Sequence, residues 1–237
     1  MTISTGKDPS STHASGVTLA STLAQRLREQ ITEGRLTPGT KLHLEDLKET
    51  FGVSLSPLRE ALSRLSGEGF VVLQGQRGYS VAPVSEANLR EVTILRMEME
   101  SFALRQAIAS GDRQWEGGIV AALHRLNSLP PTNISKSRTE EIDEWEAEHR
   151  QFHLALISAC QMPLLLQFCT TLHDLSDRYR RLFLEKNPTD RDVQEEHIAI
   201  ANATVTRQAD KAANLLRQHI ERTGTNVLKS LAENHNK

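Results

Sequence analysis

The stretch from Leu44 to Phe70, LEDLKETFGVSLSPLREALSRLSGEGF, constrains the fold more than any other part of the chain. Leu44, Leu47 and Phe51 recur at helical spacing, and Gly52 follows them, where a glycine ends a helix by adopting the left-handed conformation. A tight turn is therefore expected at Gly52-Val53. Ser56 is placed to cap a second helix through its hydroxyl, with Pro57 at the first helical position, where its missing N–H leaves nothing unpaired. Leu58, Ala61, Leu62 and Leu65 then form one apolar stripe and leave Ser54, Ser56, Arg59, Ser63 and Arg64 near or on the outward side. Two short helices about a tight turn, the second with polar groups facing out, make a helix-turn-helix.

The next residues extend the motif. Phe70–Leu73 is a short β-rich run, residues 74–78 hold two glycines, and Tyr79–Ala82 is a second run closed by Pro83. A hairpin directly behind such a helix pair is a wing. Spacing alone leaves open a small helical hairpin whose β-extension only packs a core. Charge does not decide between them, because the chain has 28 basic and 30 acidic residues and a formal charge of −2. Within 18–84, eight Lys/Arg stand against seven Asp/Glu. Affinity for DNA would have to come from a local set of arginines, serine hydroxyls and a helix N-terminus, doubled in a homodimer.

Before this motif, Leu19, Leu23, Leu27 and Ile31 recur every four residues, so Thr18–Glu33 is expected to be a helix behind the helix-turn-helix. Gly34 ends it, and Pro38-Gly39 reverses the chain. The first domain is thus complete over 18–84, after a Ser/Thr/Gly-rich N-terminus expected to be a disordered tail over 1–17. From Ser85 the texture changes. Ser85 is expected to cap a long helix burying Leu89, Val92, Leu95, Met99, Phe102 and Ala103 and ending near Gly111. Further helices are expected over Trp115–Leu129, Glu140–Gln161, Pro163–Lys186, Asp190–Arg207 and Ala209–Ala232, with a loop over Pro130–Arg138. The fold class is mainly α, with a winged helix-turn-helix domain followed over 85–234 by an all-α antiparallel bundle. Two cysteines, Cys160 and Cys169, make no disulfide framework, and no apolar run approaches membrane-spanning length. A cytoplasmic protein is expected.

Histidines carry the chemistry of the bundle. His149 and His153 lie one turn apart in EHRQFH, about 6 Å between Cβ atoms, close enough to share an ion. His197 and His219 sit on two other helices beside apolar residues that mark inward faces. Neutral imidazoles from three helices suit Zn, Ni, Cu or Fe. The competing reading is that inward histidines are hydrogen-bonded core residues. His13, His43, His124, His173 and His235 lack such companions and read as surface or structural, while Glu146 and Glu148 read as solvated or supporting groups.

Residues 19–84 resemble the winged-helix domain of the GntR family of bacterial transcription regulators. The resemblance rests on Gly34-Arg-Leu-Thr-Pro-Gly-Thr-Lys-Leu42, on Val53–Leu62, and more loosely on Arg64–Gly69. The remainder resembles the FCD effector domain of the FadR-type subfamily, where Phe152-His153, His197 and His219 match the metal-binding positions. The stretches DEWEAEHRQFHLALISAC and HDLSDRYRRLFLEK look closer still to the carbon-starvation-induced regulators that repress glutarate and 4-aminobutyrate catabolism. The resemblance implies a repressor of operator DNA, a divalent metal held by His149, His153, His197 and His219, and a small carboxylate effector such as glutarate.

Two departures bear on that expectation. Leu55 stands where the family often has a base-reading arginine, shifting DNA contacts onto Ser54, Ser56, Arg59, Arg64 and Arg77 of the wing. His149 stands where the family has Asp or Asn, which favours Zn, with Ni second, over Mn. A carboxylate effector also calls for a guanidinium, for which Arg96, Arg178 and Arg180 are the candidates. Two other readings stay open: a metal-dependent enzyme, and a metal-free regulator sensing an acyl ligand.

Overall fold

The computed structural model describes residues 18–75, 78–129, 139–183 and 192–235. The expected tail, the wing-tip Arg77, His13, the loop expected over 130–138 and the end of the helix expected to reach Lys186 lie outside the described residues, as does the side chain of His235.

Helix α1 (Leu19–Thr32) starts on Thr18, whose side chain accepts the Ser21 N–H, and buries Leu23, Leu27 and Ile31. Helix α2 (Leu44–Phe51) stops on Gly52 at φ 64°, the left-handed conformation that the sequence requires there. Helix α3 (Leu55–Gly67) corrects the expected cap: Ser54, not Ser56, is the N-cap residue, and Pro57 is the third helical residue. Proline fits there because the first few N–H groups of a helix have no acceptor within it. Strands β1 (Lys41–Leu42), β2 (Val71–Leu73) and β3 (Tyr79–Val81) form one antiparallel sheet in the order β1-β3-β2. Lys41 pairs with Ser80, and Val71 with Val81. The hairpin is the expected wing, while β1 is too short to announce itself in the sequence. Leu58, Ala61, Leu62 and Leu65 pack with Leu27, Ile31, Leu42, Phe70 and Val81 into the core of this domain.

The bundle follows. Helix α4 (Glu86–Ser110) is capped by Ser85, whose side chain accepts the Asn88 N–H, and α5 (Arg113–Ser128) by Asp112, two residues earlier than expected. Then come α6 (Thr139–Ile157), α7 (Pro163–Phe183), α8 (Val193–Val205) and α9 (Ala209–His235). Helix α4 lies along α9, α5 against α6 and α8, and α7 across α4. Gly224 permits a close approach of α9 to α4, since a Cβ there would fall 2.6 Å from Thr93. The expected buried face of α4 is half right. Leu89, Val92 and Ala103 are buried, but Leu95 and Phe102 are exposed at 37% and 45%, while Arg96 and Glu100 are buried in their place. A charged pair one turn apart neutralises itself and so enters a face that hydropathy assigns to leucine and phenylalanine.

Helix α7 belongs to both domains. Leu172 and Leu175 complete the winged-helix core, whereas Cys169 lies in the bundle core. Further along the helix, Arg178 donates to the Ala82 carbonyl at the end of the wing. The Tyr179 hydroxyl donates to Asn88 Oδ1 at 2.9 Å and receives the Ser85 N–H at 3.2 Å.

Candidate metal centre and nucleic-acid interface

The bundle brings the four predicted histidines together. His149 and His153 face inward from α6, His197 from α8 and His219 from α9, and all four are buried. Each offers a ring nitrogen within 4.8 Å of the others. Ligands on opposite sides of an ion at ordinary Zn–N lengths are about 4.2 Å apart, so the quartet has the dimensions of a single-ion site. Burial holds the His153 imidazole well below its ordinary range, and the neighbouring His149, His219, His173 and His197 add to the effect. Neutral imidazole is the form that binds metal. Nδ1 of His153 is buried without a hydrogen-bond partner among the described residues, an unusual state that ion chemistry would relieve. His219 Nδ1 lies 2.9 Å from Glu196 Oε2, the carboxylate–histidine pairing that orients metal-bound imidazoles. On these observations the residues fit a divalent ion.

A fifth histidine joins them. The sequence suggests a surface or structural place for His173, but it is 1% exposed, with its ring centroid 5.3 Å from that of His153 and 6.0 Å from that of His149. It forms one potential ligand group with Glu100 and His153 and another with His149 and Asp177. The signal that could have found it is the spacing of His173, Asp177 and Arg180, which places all three on one face of α7.

Of the candidate arginines, two reach the cluster. Arg96 is buried on α4, its Nε 2.6 Å from Glu100 Oε1 and its Nη2 3.2 Å from Oε2. It also donates to Ser176 Oγ at 2.9 Å and to His173 Nδ1 at 3.0 Å. Arg180 donates to His149 Nδ1 at 2.9 Å, is ion-paired with Glu146, and lies 3.3 Å from Asp177. Trp145 stacks on His149 with ring centroids 4.7 Å apart and packs against Arg180. Arg178 goes the other way, to Ala82. Two residues of helix rotate a side chain by about 200°, so positions 178 and 180 cannot face the same site. Glu146 is buried within this network, whereas Glu148 pairs with Arg125 at 3.0 Å. Burial, with Asp174 adding to it, pushes the Asp177 carboxyl up to about 7.

At the other end of the molecule, Ser54, Ser56, Arg59 and Arg64 are all exposed on or beside α3. Arg64 donates to Ser21 Oγ at 3.0 Å and lies 3.5 Å from Glu60, while Leu55 is half-buried. The outer face of α3 therefore carries hydroxyls and two guanidinium groups with its N-terminus at the front, a set suited to phosphates and base edges.

Comparison with known proteins places this geometry. Residues 19–81 match the family model for bacterial regulatory proteins of the gntR family, and residues 91–222 match the FCD domain model. The chain is 39% identical to the uncharacterized HTH-type transcriptional regulator BphR of Paraburkholderia xenovorans (strain LB400), across 91% of this chain and 90% of that protein. It is 33% identical to the HTH-type transcriptional repressor GlaR of Escherichia coli (strain K12), across 82% of this chain and 89% of that protein. Among solved structures, E. coli McbR/YncC superposes with a TM-score of 0.75 at 23% identity, covering 90% of this chain and 98% of that one. A GntR regulator from Rhodococcus sp. RHA1 superposes at 0.71 and 19% identity, covering 89% and 98%. Both share the fold.

Proposed function

The chain belongs to the GntR family of bacterial regulatory proteins and carries an FCD domain, and from that premise we propose a metal-containing repressor, homodimeric on its operator, that a small carboxylate switches. Membership makes it a transcription regulator and removes the enzyme reading that imidazoles in a bundle had left open. Repression is supported by the relative named as a repressor at 33% identity. No helix among the described residues is long and apolar enough to cross a membrane, which accords with action on cytoplasmic DNA.

The observation that carries the effector half is the buried histidine quartet beside Arg96 and Arg180. His149, His153, His197 and His219 would hold the ion, most suitably Zn and next Ni, and the ion would supply a positive centre for a carboxylate oxygen. Arg96 and Arg180 bring the remaining positive charge to the cluster; Arg178 is assigned instead to the domain junction. Two anchoring points favour a dicarboxylate, and the likeness to the carbon-starvation-induced regulators makes glutarate the first compound to test.

Helix α7 connects the two ends. Its His173, Asp177 and Arg180 face the cluster, and its Leu172, Leu175 and Arg178 engage the winged helix. An effector that draws the first group toward itself shifts the second against α1 and α3. In the dimer, Ser54, Ser56, Arg59, Arg64 and the wing's Arg77 then lose the spacing of two operator half-sites. A differential affinity worth about 1–3 kcal/mol is the usual size of such coupling.

Thermal unfolding of Zn-loaded protein against a panel of mono- and dicarboxylates tests the proposal, because a ligand specific to the native state raises the midpoint. A rise with a C4–C6 dicarboxylate that disappears in His153→Ala is expected. Equal metal-free behaviour of wild type and His153→Ala after loading would instead favour the metal-free acyl sensor.

A further inference from the structure

We infer that Leu55 reads the C5-methyl group of a thymine, so that the operator carries a T·A pair in each half-site opposite the start of α3. The inference rests on the DNA-binding reading above and names one base pair that this reader selects.

Leu55 opens α3, directly after the cap residue Ser54. On the same helix Leu58, Ala61, Leu62 and Leu65 are wholly buried, whereas Leu55 keeps part of its surface open. Nearby Leu44, Leu47, Phe51 and Val53 all pack against the winged-helix core, but among the described residues Leu55 belongs to no apolar cluster. Single apolar residues at a surface are common, so it is the position of this one that gives it meaning.

Viewed down the axis of α3, Leu55 stands about 40° from Arg59 and about 20° from Leu62. It therefore lies on the boundary between the buried stripe and the outer face, on the side that carries Arg59. Side chains on a helix lean toward its N-terminus, so Leu55 leans past the first turn, the part of a recognition helix that meets base edges. Exposed Ser54 and Ser56 flank it, and the Ser54 hydroxyl makes no hydrogen bond to the helix it caps. Those neighbours can bond to phosphates or base edges. Leu55 can do neither.

The chemistry of the major groove leaves a leucine one target. Every base pair presents hydrogen-bonding atoms there, and thymine alone adds a methyl group. On a G·C pair, Leu55 would shield the guanine N7 and O6 acceptors from water and return nothing. On a T·A pair, it covers the methyl group and excludes water from it. Attraction to one base and rejection of another act together, as discrimination requires. Arg59, one turn further on, is about 6 Å along the helix, less than two base-pair steps. An apolar and a cationic reader thus stand side by side.

The test begins with full-length protein and randomised duplex DNA, from which a bound site is selected and its affinity measured by fluorescence anisotropy. Thymines in the selected duplex are then replaced one at a time by deoxyuridine, which removes the methyl group and keeps every hydrogen bond. One thymine in each half-site should prove sensitive, its replacement weakening wild-type protein about fourfold, the effect of one buried methyl group. Leu55→Ala should bind the thymine duplex more weakly and lose that sensitivity, the coupling expected of two groups in contact. Replacing the sensitive T·A pair by C·G should weaken wild type further, and 5-methylcytosine should recover part of the loss.

Leu55→Arg supplies the reciprocal readout. Because Leu55 lies outside the core cluster of its domain, the variant should fold, and it should select G·C at the same pair. Indifference of the wild type to deoxyuridine at every thymine overturns the inference and leaves DNA binding intact. A Leu55→Ala variant that stays equally sensitive does the same. Selection of no sequence at all would remove the DNA-binding reading and this inference with it.

Discussion

His219 Nδ1 and Glu196 Oε2 lie 2.9 Å apart, joining α9 to α8 at the edge of the histidine cluster. Glu196 also receives Arg222 at 2.9 Å, so its carboxylate stands between a buried ring and a surface cation. A carboxylate that accepts from the far nitrogen orients an imidazole and raises its basicity. Glu196→Gln should therefore weaken Zn binding by about 10–100-fold in a chelator competition assay. Unaltered affinity would show that other contacts orient the His219 ring.

A second prediction concerns the domain junction. Arg178 is buried, and burial lowers its pKa, while its Nη2 donates to the Ala82 carbonyl across that junction. Arg178→Met keeps much of the volume and leaves that carbonyl without this donor, at a cost of about 1–3 kcal/mol in denaturant unfolding. Operator affinity without effector should change little, while effector-driven release should weaken. Full release at wild-type effector concentration would remove Arg178 from the coupling route.

Arg59 is exposed on the outer face of α3, where Arg64 is engaged with Ser21 and Glu60. Arg59→Ala should leave stability within about 0.5 kcal/mol of wild type. Its operator affinity, read by fluorescence anisotropy, should fall by about 1–3 kcal/mol. Undiminished specific binding would move recognition to other residues.

Cys169 gives a prediction about pH. Burial, with Glu100 adding to it, pushes its thiol up to about 12 from an ordinary 9.0. At pH 8 the thiolate fraction is then about 10⁻⁴, so native protein should resist alkylation until denatured. Because the unfolded chain ionises first as pH rises, the contribution to stability is complete below about 9 and is lost between there and about 12. Unfolding midpoints across that range check the direction, and rapid alkylation of native Cys169 at pH 8 would refute it.

The helix-turn-helix was legible because its apolar spacing and Gly52 follow from local geometry alone. Leu58, Ala61, Leu62 and Leu65 needed no tertiary knowledge to be placed inside. The cap was harder. Ser54 and Ser56 are equally good capping residues, and only the backbone after the turn decides for Ser54. The quartet of histidines followed from a one-turn pair and two apolar neighbourhoods, but His173 did not, because apart from Asp177 one turn along α7 its companions Glu100, His149 and His153 come from α4 and α6, far away in sequence. Arg96 and Glu100 were the clearest miss in packing, since hydropathy scores each residue by itself and cannot credit a charge neutralised by its neighbour.

The sharing of α7 has a consequence for protein engineering. Leu172 and Leu175 lie far beyond the wing in sequence, yet belong to the same apolar cluster as Leu27, Leu65 and Phe70. Cutting the chain after Pro83 would not release a self-sufficient DNA-binding module; it would strip one wall from its interior. Chimeras that graft a new sensor onto this reader must therefore carry over the apolar face of α7 with it, and a hybrid joined only at the linker should prove sticky and poorly folded.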